Sequence, residues 1–429
     1  MSRRALAGLA VAGCLLARPD LVRYLRWPQI QPLIRSLAAS GEKLPEFASA
    51  PEWDTWIRQR DYEIRGRIGR LLEDSISGLI VFGTSFTKEP RLANEQAAVN
   101  AAGDLAPVAR ARIDEFIQAL DSRDDERYRY VLDFLRRERV TEDELRAYLA
   151  GILRRSALER AQDPNSRELA PLLKDFAAAE TLRLLKSEGH APGRVRRVAV
   201  IAPTFNFSGG PDGYDFFPIQ TTLPFSILEA ALRLGLAEPG DVQVVAFDLH
   251  PFALAQMRAL TAKARAGGRA VLELGRNTEA GWNSAAVSYW SHFGEIIAAV
   301  SVTASGTGAP PTPVPAGLRN LETRTLTLKP QLAARISVED IDIVAQSAET
   351  TPGAGFDLVV ALDAFSRYNR LEQSLALESI SEMTNPGGIV LVRGASPAAV
   401  PRELERLGLH NVAYAERDPG INIGAYRRQ

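Results

Sequence analysis

The chain is poor in the residues that build covalent or metal-held frameworks. It has a single cysteine, Cys14, so an internal disulfide is ruled out. Its four histidines, His190, His250, His292 and His410, are scattered without the spacing of metal ligands, and no metal is expected. Charge of one sign is also missing. With 51 Lys and Arg against 52 Asp and Glu, there is no concentrated basic face for phosphates, and no nucleic-acid partner is expected. No apolar run reaches the ~20 residues needed to cross a bilayer, so no transmembrane span is expected. What is present is a globular composition, 46% hydrophobic over 429 residues, enough for a large core divided among two or three units.

Residues 1–19 begin with MSRR and a short apolar stretch interrupted by glycines. They end in Val11-Ala12-Gly13-Cys14, similar to the box at which bacterial lipoprotein signals are cleaved and lipidated. Two readings stand: an export signal with a lipid anchor at Cys14, or an ordinary N-terminal helix with a buried cysteine.

Residues 20–193 carry the helix period almost throughout and are expected to form a helical domain. Thr141 and Glu144 make a capping-box start for one of its helices. In SGLIVFGTSFT, residues 77–87, the run LIVF fits either a buried helix turn or a short strand. Arg58, Arg60, Arg65, Arg67 and Arg70 sit among acids, the pattern of a solvated, salt-bridged face rather than an anion site.

From residue 194 onward the texture changes to an α/β pattern. RVRRVAVIAP (194–203) and DVQVVAFDLHP (241–251) are continuous apolar runs suited to strands buried on both faces, each followed by a helix. TRTLTL and IDIVAQ read as further strands, and FDLVVALD, a helix over Leu371–Met383 and GIVLVRG complete the pattern. Such alternation predicts a doubly wound, mostly parallel sheet over 194–429, with a flexible Pro/Gly-rich insertion near 301–317 and antiparallel strands from the tail INIGAYRR at the edge. Sites in such sheets lie outside the carboxyl ends of the strands. Asp248, Asp342 and Asp363 fall there. An acid closing the second strand has paired acceptors for a ribose diol, which points to a nucleoside ligand. The competing reading of each acid is a helix cap or a residue facing water.

FDLVVALDAFSRYNRLEQSLALESISEMTNPGGIVLVRG, residues 356–394, resembles the fourth strand, following helix, Pro-Gly-Gly turn and fifth strand of class I S-adenosylmethionine-dependent methyltransferases. The likeness covers roughly 195–429. It implies S-adenosylmethionine as cofactor, with Asp248 and Leu249 at the ribose, Asp342 and Ile343 near the adenine amine, and Asp363, Ala364 and Phe365 bordering the methionine end. Pro386, Gly387 and Gly388 would be structural. The sequence departs from the family at its first turn. Glycine normally lets the backbone pass close to the methionine portion there, whereas this chain has Ala202, Pro203 and Thr204, then Phe205-Asn206-Phe207, with glycines only at 209, 210 and 213.

The long loop that follows carries Tyr214, Asp215, Phe216 and Phe217, which either wall an adenosine or methyl-acceptor pocket, with Tyr368 on the acceptor side, or pack the connection onto the sheet. Asp215 and Gln220 are within reach of a ligand from this loop. Trp282, Tyr289, Trp290 and His292 have the spacing of a buried helix face.

No catalytic triad is expected, because the sulfonium donor is already activated and the protein chiefly aligns the acceptor. The leading expectation is a methyltransferase acting on a small molecule or protein side chain, cytoplasmic where its cofactor is available. The alternative is a catalytically silent methyltransferase-like interaction module, membrane-anchored if the Cys14 box is used. A nicotinamide-dependent oxidoreductase ranks third, because no GxGxxG follows the first strand.

Overall fold

The structure is a computed structural model and describes residues 21–39, 41, 47, 49–69, 71–121, 125–162, 171–203, 215, 217–303, 321–349 and 353–429. Cys14 and its lipid-anchor reading, Thr204, Phe205, Phe207, Tyr214, Phe216 and most of the 301–317 stretch lie outside the described residues.

The N-terminal half runs β1 (Leu21–Tyr24), α1 (Trp27–Ala39), α2 (Ala50–Gly69), α3 (Leu72–Phe82), α4 (Pro107–Leu120), α5 (Glu126–Arg137), α6 (Glu142–Gln162) and α7 (Pro171–Ser187). It continues with β2 (Arg197–Ile201), α8 (Leu223–Arg233), β3 (Gln243–Asp248), α9 (Pro251–Arg265), β4 (Val271–Asn277), α10 (Ser284–His292), β5 (Ala298–Thr303) and β6 (Leu321–Leu328). The remainder is α11 (Pro330–Ala333), β7 (Ile336–Asp340), β8 (Gln346–Glu349), β9 (Phe356–Ala361), α12 (Arg370–Met383), β10 (Thr384–Arg393), β11 (Leu404–Val412) and β12 (Ile421–Arg428).

The apolar runs in β2, β3 and β9 are buried along nearly their whole length, as expected of strands covered on both faces. They form the middle of a seven-stranded sheet of order β11-β12-β10-β9-β2-β3-β7. The pairs β2–β3, β2–β9, β3–β7 and β9–β10 are parallel, and β12 lies antiparallel between β10 and β11. Strand order moves outward from β2 through β3 to β7, then restarts on the other side of β2 with β9 and β10. The reversal between β2 and β9 opens a crevice at the carboxyl ends. The α/β class and the mostly parallel sheet expected from the sequence are therefore present.

The Pro-Gly-Gly turn sits at the opposite, amino end. Gly387 has φ +79°, a left-handed conformation that glycine adopts without a Cβ penalty. A Cβ on Gly388 would come within 2.7 Å of Thr384 Cγ2 and 2.8 Å of the Asn385 carbonyl oxygen. The Asn385 side-chain amide donates to the Gly355 carbonyl and to Asp357, tying the turn to the start of β9.

Two strand expectations are corrected. TRTLTL lies in β6, but in a separate antiparallel sheet of order β4-β6-β5 rather than in the main one. In IDIVAQ, residues 341–345 form the turn between β7 and β8, and β8 leaves the main sheet to pair with β1. LIVF of residues 79–82 is helical, the last turn of α3.

The helices of residues 20–193 send their apolar faces to three places. In α1 and α2, Ile30, Leu33, Trp53, Ile57 and Ile64 pack with α12 and with Ala199, Ile201 and Phe247 of the main sheet. Among the described residues no helix lies between β7 and β9, and these N-terminal helices cover the face where a crossover helix would sit. α3 to α6 form their own cluster, joined by Ile219 and flanked by Phe252, both from segments beyond the carboxyl ends of β2 and β3. α7 packs on the other face of the sheet with α8 and α10. Among the described residues no helix is long and apolar enough to cross a membrane.

Candidate functional site

The tip of β2 sets the shape of the crevice. Ala202 follows the strand with φ +45°, and its N–H donates to the Phe247 carbonyl at 2.7 Å. It is thus left-handed at the position where the resemblance expects glycine, despite carrying a Cβ. A single residue held there costs of order 1–2 kcal/mol. Ala202 is half-buried and Pro203 is buried.

Asp248 closes β3, as expected, and is buried at 7% exposure. Its Oδ1 accepts the His250 N–H at 2.8 Å, fixing the strand-to-helix turn. His250 then caps α9 by accepting from the Phe252 N–H at 3.3 Å. Burial lowers the His250 imidazole to about 4, with Arg367 and Arg137 acting in the same direction, so the ring is neutral. Tyr130 of α5 stacks on Phe252 with 4.0 Å between ring centroids, and its hydroxyl lies 3.4 Å from His250 Nε2. The α3–α6 cluster therefore reaches the carboxyl end of the sheet beside Asp248. Leu249 is half-buried.

Asp342 lies two residues beyond β7, wholly buried. Oδ1 accepts the Val344 N–H at 3.0 Å, and Oδ2 has no hydrogen-bond partner among the described residues. Burial raises its carboxyl to about 7; the nearby Asp61 of α2 adds to this, while the Val344 N–H and Arg65 oppose it. Asp61 is itself engaged, accepting from the Tyr24 hydroxyl and from Arg65 Nε, each at 2.7 Å. Arg65 also reaches Asp340 at 2.7 Å and Gln346 at 3.2 Å. The face expected to be solvated is in part a clamp between α2 and the sheet edge. Tyr368 is buried near both Asp342 and Asp248. Burial and these carboxyls hold its phenol well above the ordinary range.

Asp363 closes the β9 segment and is saturated by charge. Lys174 Nζ donates to Oδ2 at 2.7 Å, and Arg393 Nη2 donates to Oδ1 at 2.9 Å. Burial acts to raise this carboxyl, but the two cations override it and hold the group well below the carboxylate range. Next to Lys174, Asp175 is 1% exposed, and its Oδ2 has no partner among the described residues. Burial raises Asp175 to about 7, against the opposing effects of Thr222 and Lys174.

Several expected site residues have other work. The Asp215 carboxylate accepts from the Thr84 N–H at 2.8 Å, the Thr84 hydroxyl at 3.1 Å, the Ser85 N–H at 2.9 Å and the Ser85 hydroxyl at 2.5 Å. Four donors fill it, so Asp215 fixes the turn after α3 instead of meeting an acceptor. Phe217 is buried, with its carbonyl accepting from Arg127. Gln220 pairs with both main-chain groups of Glu273 on β4. Ile343, Ala364 and Phe365 place their side chains in the core shared with α2 and α12. His292 is exposed, with Nδ1 2.6 Å from the Ser288 carbonyl, so it does not face Asp363. Sequence reasoning missed Lys174, Asp175 and Arg393. The one signal for Lys174 and Asp175 was a Lys-Asp pair inside the apolar run of α7.

Among the described residues there is no group of three or more His, Cys, Asp or Glu able to hold a metal ion. No protein-family profile matches the chain, and no curated protein matches it either. Solved structures align with part of the chain. The N-methyltransferase NodS from Bradyrhizobium japonicum WM9 is 12% identical, with 58% of this chain and 94% of that one covered and a TM-score of 0.28. A TehB-like SAM-dependent methyltransferase from Corynebacterium glutamicum ATCC 13032 Kitasato is 9% identical, covering 64% and 96%, also at 0.28. Magnesium protoporphyrin IX methyltransferase (ChlM) from Synechocystis PCC 6803 is 8% identical, covering 60% and 80%, at 0.27. At scores this low, strand order and register define the fold, not these alignments.

Proposed function

We propose that the protein is an S-adenosylmethionine-dependent methyltransferase acting on a small molecule or protein side chain. The observation that carries this reading is the pairing of two features at the reversal of strand order. The turn after β2 is left-handed at Ala202, and the next strand in the sheet ends in the carboxylate of Asp248. A nucleoside seated outside the carboxyl ends meets both, its ribose diol on Asp248. The residues present also fit the base. Asp342 Oδ2 is buried beside Asp61 with no close hydrogen-bond donor among the described residues, which suits an exocyclic N–H of adenine. On this reading Ala202, Asp248 and Asp342 hold the cofactor, while Lys174 and Arg393 fix Asp363 at the floor of the acceptor side. When bound, the cofactor supplies an activated methyl group, and the chain's own task is alignment and exclusion of water.

One observation favours the alternative of a silent interaction module: Ala202 puts a Cβ where the resemblance expects bare backbone. Calorimetric titration with S-adenosylhomocysteine separates the two. Wild type is expected to bind, and Asp248→Ala to lose about tenfold or more in affinity, since a carboxylate pairing two hydroxyls contributes at least one charge-assisted hydrogen bond. No heat from wild type at high ligand removes the enzyme reading. Equal binding by the variant removes the ribose assignment alone.

A further inference from the structure

We propose that Asp175 is the proton-accepting residue of an amine site at the head of α7, an inference that deepens the methyltransferase reading and rests on it. Every residue from Leu172 to Ala178 is buried, Lys174 and Asp175 included. That is not the pattern of a helix with one solvated face, and it sets a Lys-Asp pair inside the molecule beside the β9 tip. Asp363 is unsuited to receive a proton there, because Lys174 and Arg393 occupy both of its oxygens and keep it ionised. Asp175 has the opposite character. Its Oδ2 and the buried hydroxyls of Thr221 and Thr222 at the start of α8 have no close hydrogen-bond partner among the described residues, although Thr222 lies near enough to Asp175 to stabilise its carboxylate. Buried polar atoms left unmade cost about 1–3 kcal/mol each. A group with two or more N–H donors satisfies several such oxygens at once, whereas a hydroxyl brings one hydrogen. On that ground we take the ligand to be an amine.

The groups facing Asp175 are Lys174 on its own helix, Thr222 on α8, Asp363 beyond β9 and Tyr289 on α10, whose phenol is hydrogen-bonded to Ser226 at 2.7 Å. Burial first, then Asp363, raises the carboxyl toward about 7, a range suited to a general base near neutrality. In the transfer, the amine nitrogen bonds the methyl carbon while the carbon–sulfur bond breaks, its electron pair passing to the sulfur, which leaves as a thioether. The surplus proton on nitrogen goes to the Asp175 carboxylate and from there to water.

The test needs no knowledge of the natural acceptor. Methylamine is titrated into protein saturated with S-adenosylhomocysteine, followed by NMR saturation transfer, with acetate as the opposite-charge probe. Expected is methylamine binding in wild type, weakened about tenfold or more by Asp175→Asn and less by Thr222→Val, with affinity for the nucleoside unchanged. Proton exchange accompanying methylamine binding should change across pH 7 in wild type and not in Asp175→Asn. Acetate binding in place of methylamine, or equal methylamine binding by Asp175→Asn, overturns the inference. If Asp175→Asn does not fold, an unchanged Thr222→Val overturns it. Wild type that fails to bind S-adenosylhomocysteine defeats the parent reading instead, so the two failures are distinguishable.

Discussion

Asp363 and Asp342 are two buried acids beyond the carboxyl ends of strands in one sheet, and their proton affinities move in opposite directions. Burial raises both. At Asp363, two cations reverse the effect, while at Asp342 a second acid, Asp61, adds to it, itself hydrogen-bonded to Tyr24 and Arg65. The sheet sets where a strand-tip carboxyl points. The side chains packed around it, from helices and from neighbouring strands, decide whether that carboxyl is ionised. Asp363 itself is thus satisfied without a ligand, whereas Asp342 keeps an oxygen without a close donor. Unmet groups of this kind concentrate where ligands bind.

The sharpest way to break the contrast is to neutralise Asp363. Asp363→Asn leaves Lys174, 8% exposed at its side chain, and Arg393 without their buried counter-charge. Removing one partner of a buried ion pair costs about 3–5 kcal/mol. Urea unfolding should register a loss of that size, and Lys174→Met in the same chain should recover part of it by removing the stranded ammonium. A loss under about 1 kcal/mol would mean that the pair behaves as a surface pair and that Asp363 is not saturated.

Asp342 predicts the opposite sign. Its folded carboxyl stands near 7 against an ordinary 3.8, so the folded state binds more protons than the unfolded state between those values. Stability from this group is full below about pH 4 and is lost as pH rises toward 7 and beyond. The displacement sets an upper bound of about 4 kcal/mol at alkaline pH. Asp342→Asn should accordingly match wild type near pH 4 and exceed it at pH 8 by up to about that amount, with a flatter dependence of stability on pH in between. Asp363 runs the other way: its lowered carboxyl contributes stability above the ordinary carboxylate value, lost only as pH falls into strong acid. An Asp342→Asn profile parallel to wild type would show that Asp342 ionises freely and that its missing partner is water.

Much of this frame was legible in the sequence, for a physical reason. Strands buried on both faces must be continuously apolar, so β2, β3 and β9 announce themselves, and an acid at the end of such a run can only lie at a strand tip. The same holds for Gly387 and Gly388, whose backbone conformation and packing exclude a side chain. What decides the chemistry at those tips was not legible. Lys174 meets Asp363 across 189 residues of sequence. Arg65 and Asp61 sit at helical spacing among other charges and look like any solvated face until α2 is seen over the sheet edge. β4 was missed although Leu272 and Leu274 alternate with Glu273, whose buried carboxylate accepts from the Thr325 hydroxyl of β6 at 2.8 Å.

The smallest expected effect tests the turn after β2. Ala202 holds φ +45° with a Cβ. Glycine there removes the left-handed penalty of about 1–2 kcal/mol and adds back roughly 0.4–1 kcal/mol of unfolded-state entropy, so Ala202→Gly should gain about 0.5–1 kcal/mol in urea unfolding. Ala199→Gly, three residues earlier in the interior of β2, should lose about 1 kcal/mol and serves as the control for the entropy term. If Ala202→Gly loses stability as Ala199→Gly does, the turn after β2 holds no strain, and the contrast at the strand tips reduces to the carboxyls alone. If it gains stability and also tightens S-adenosylhomocysteine binding, the Cβ at 202 is what separates this turn from the bare backbone a nucleoside cofactor prefers.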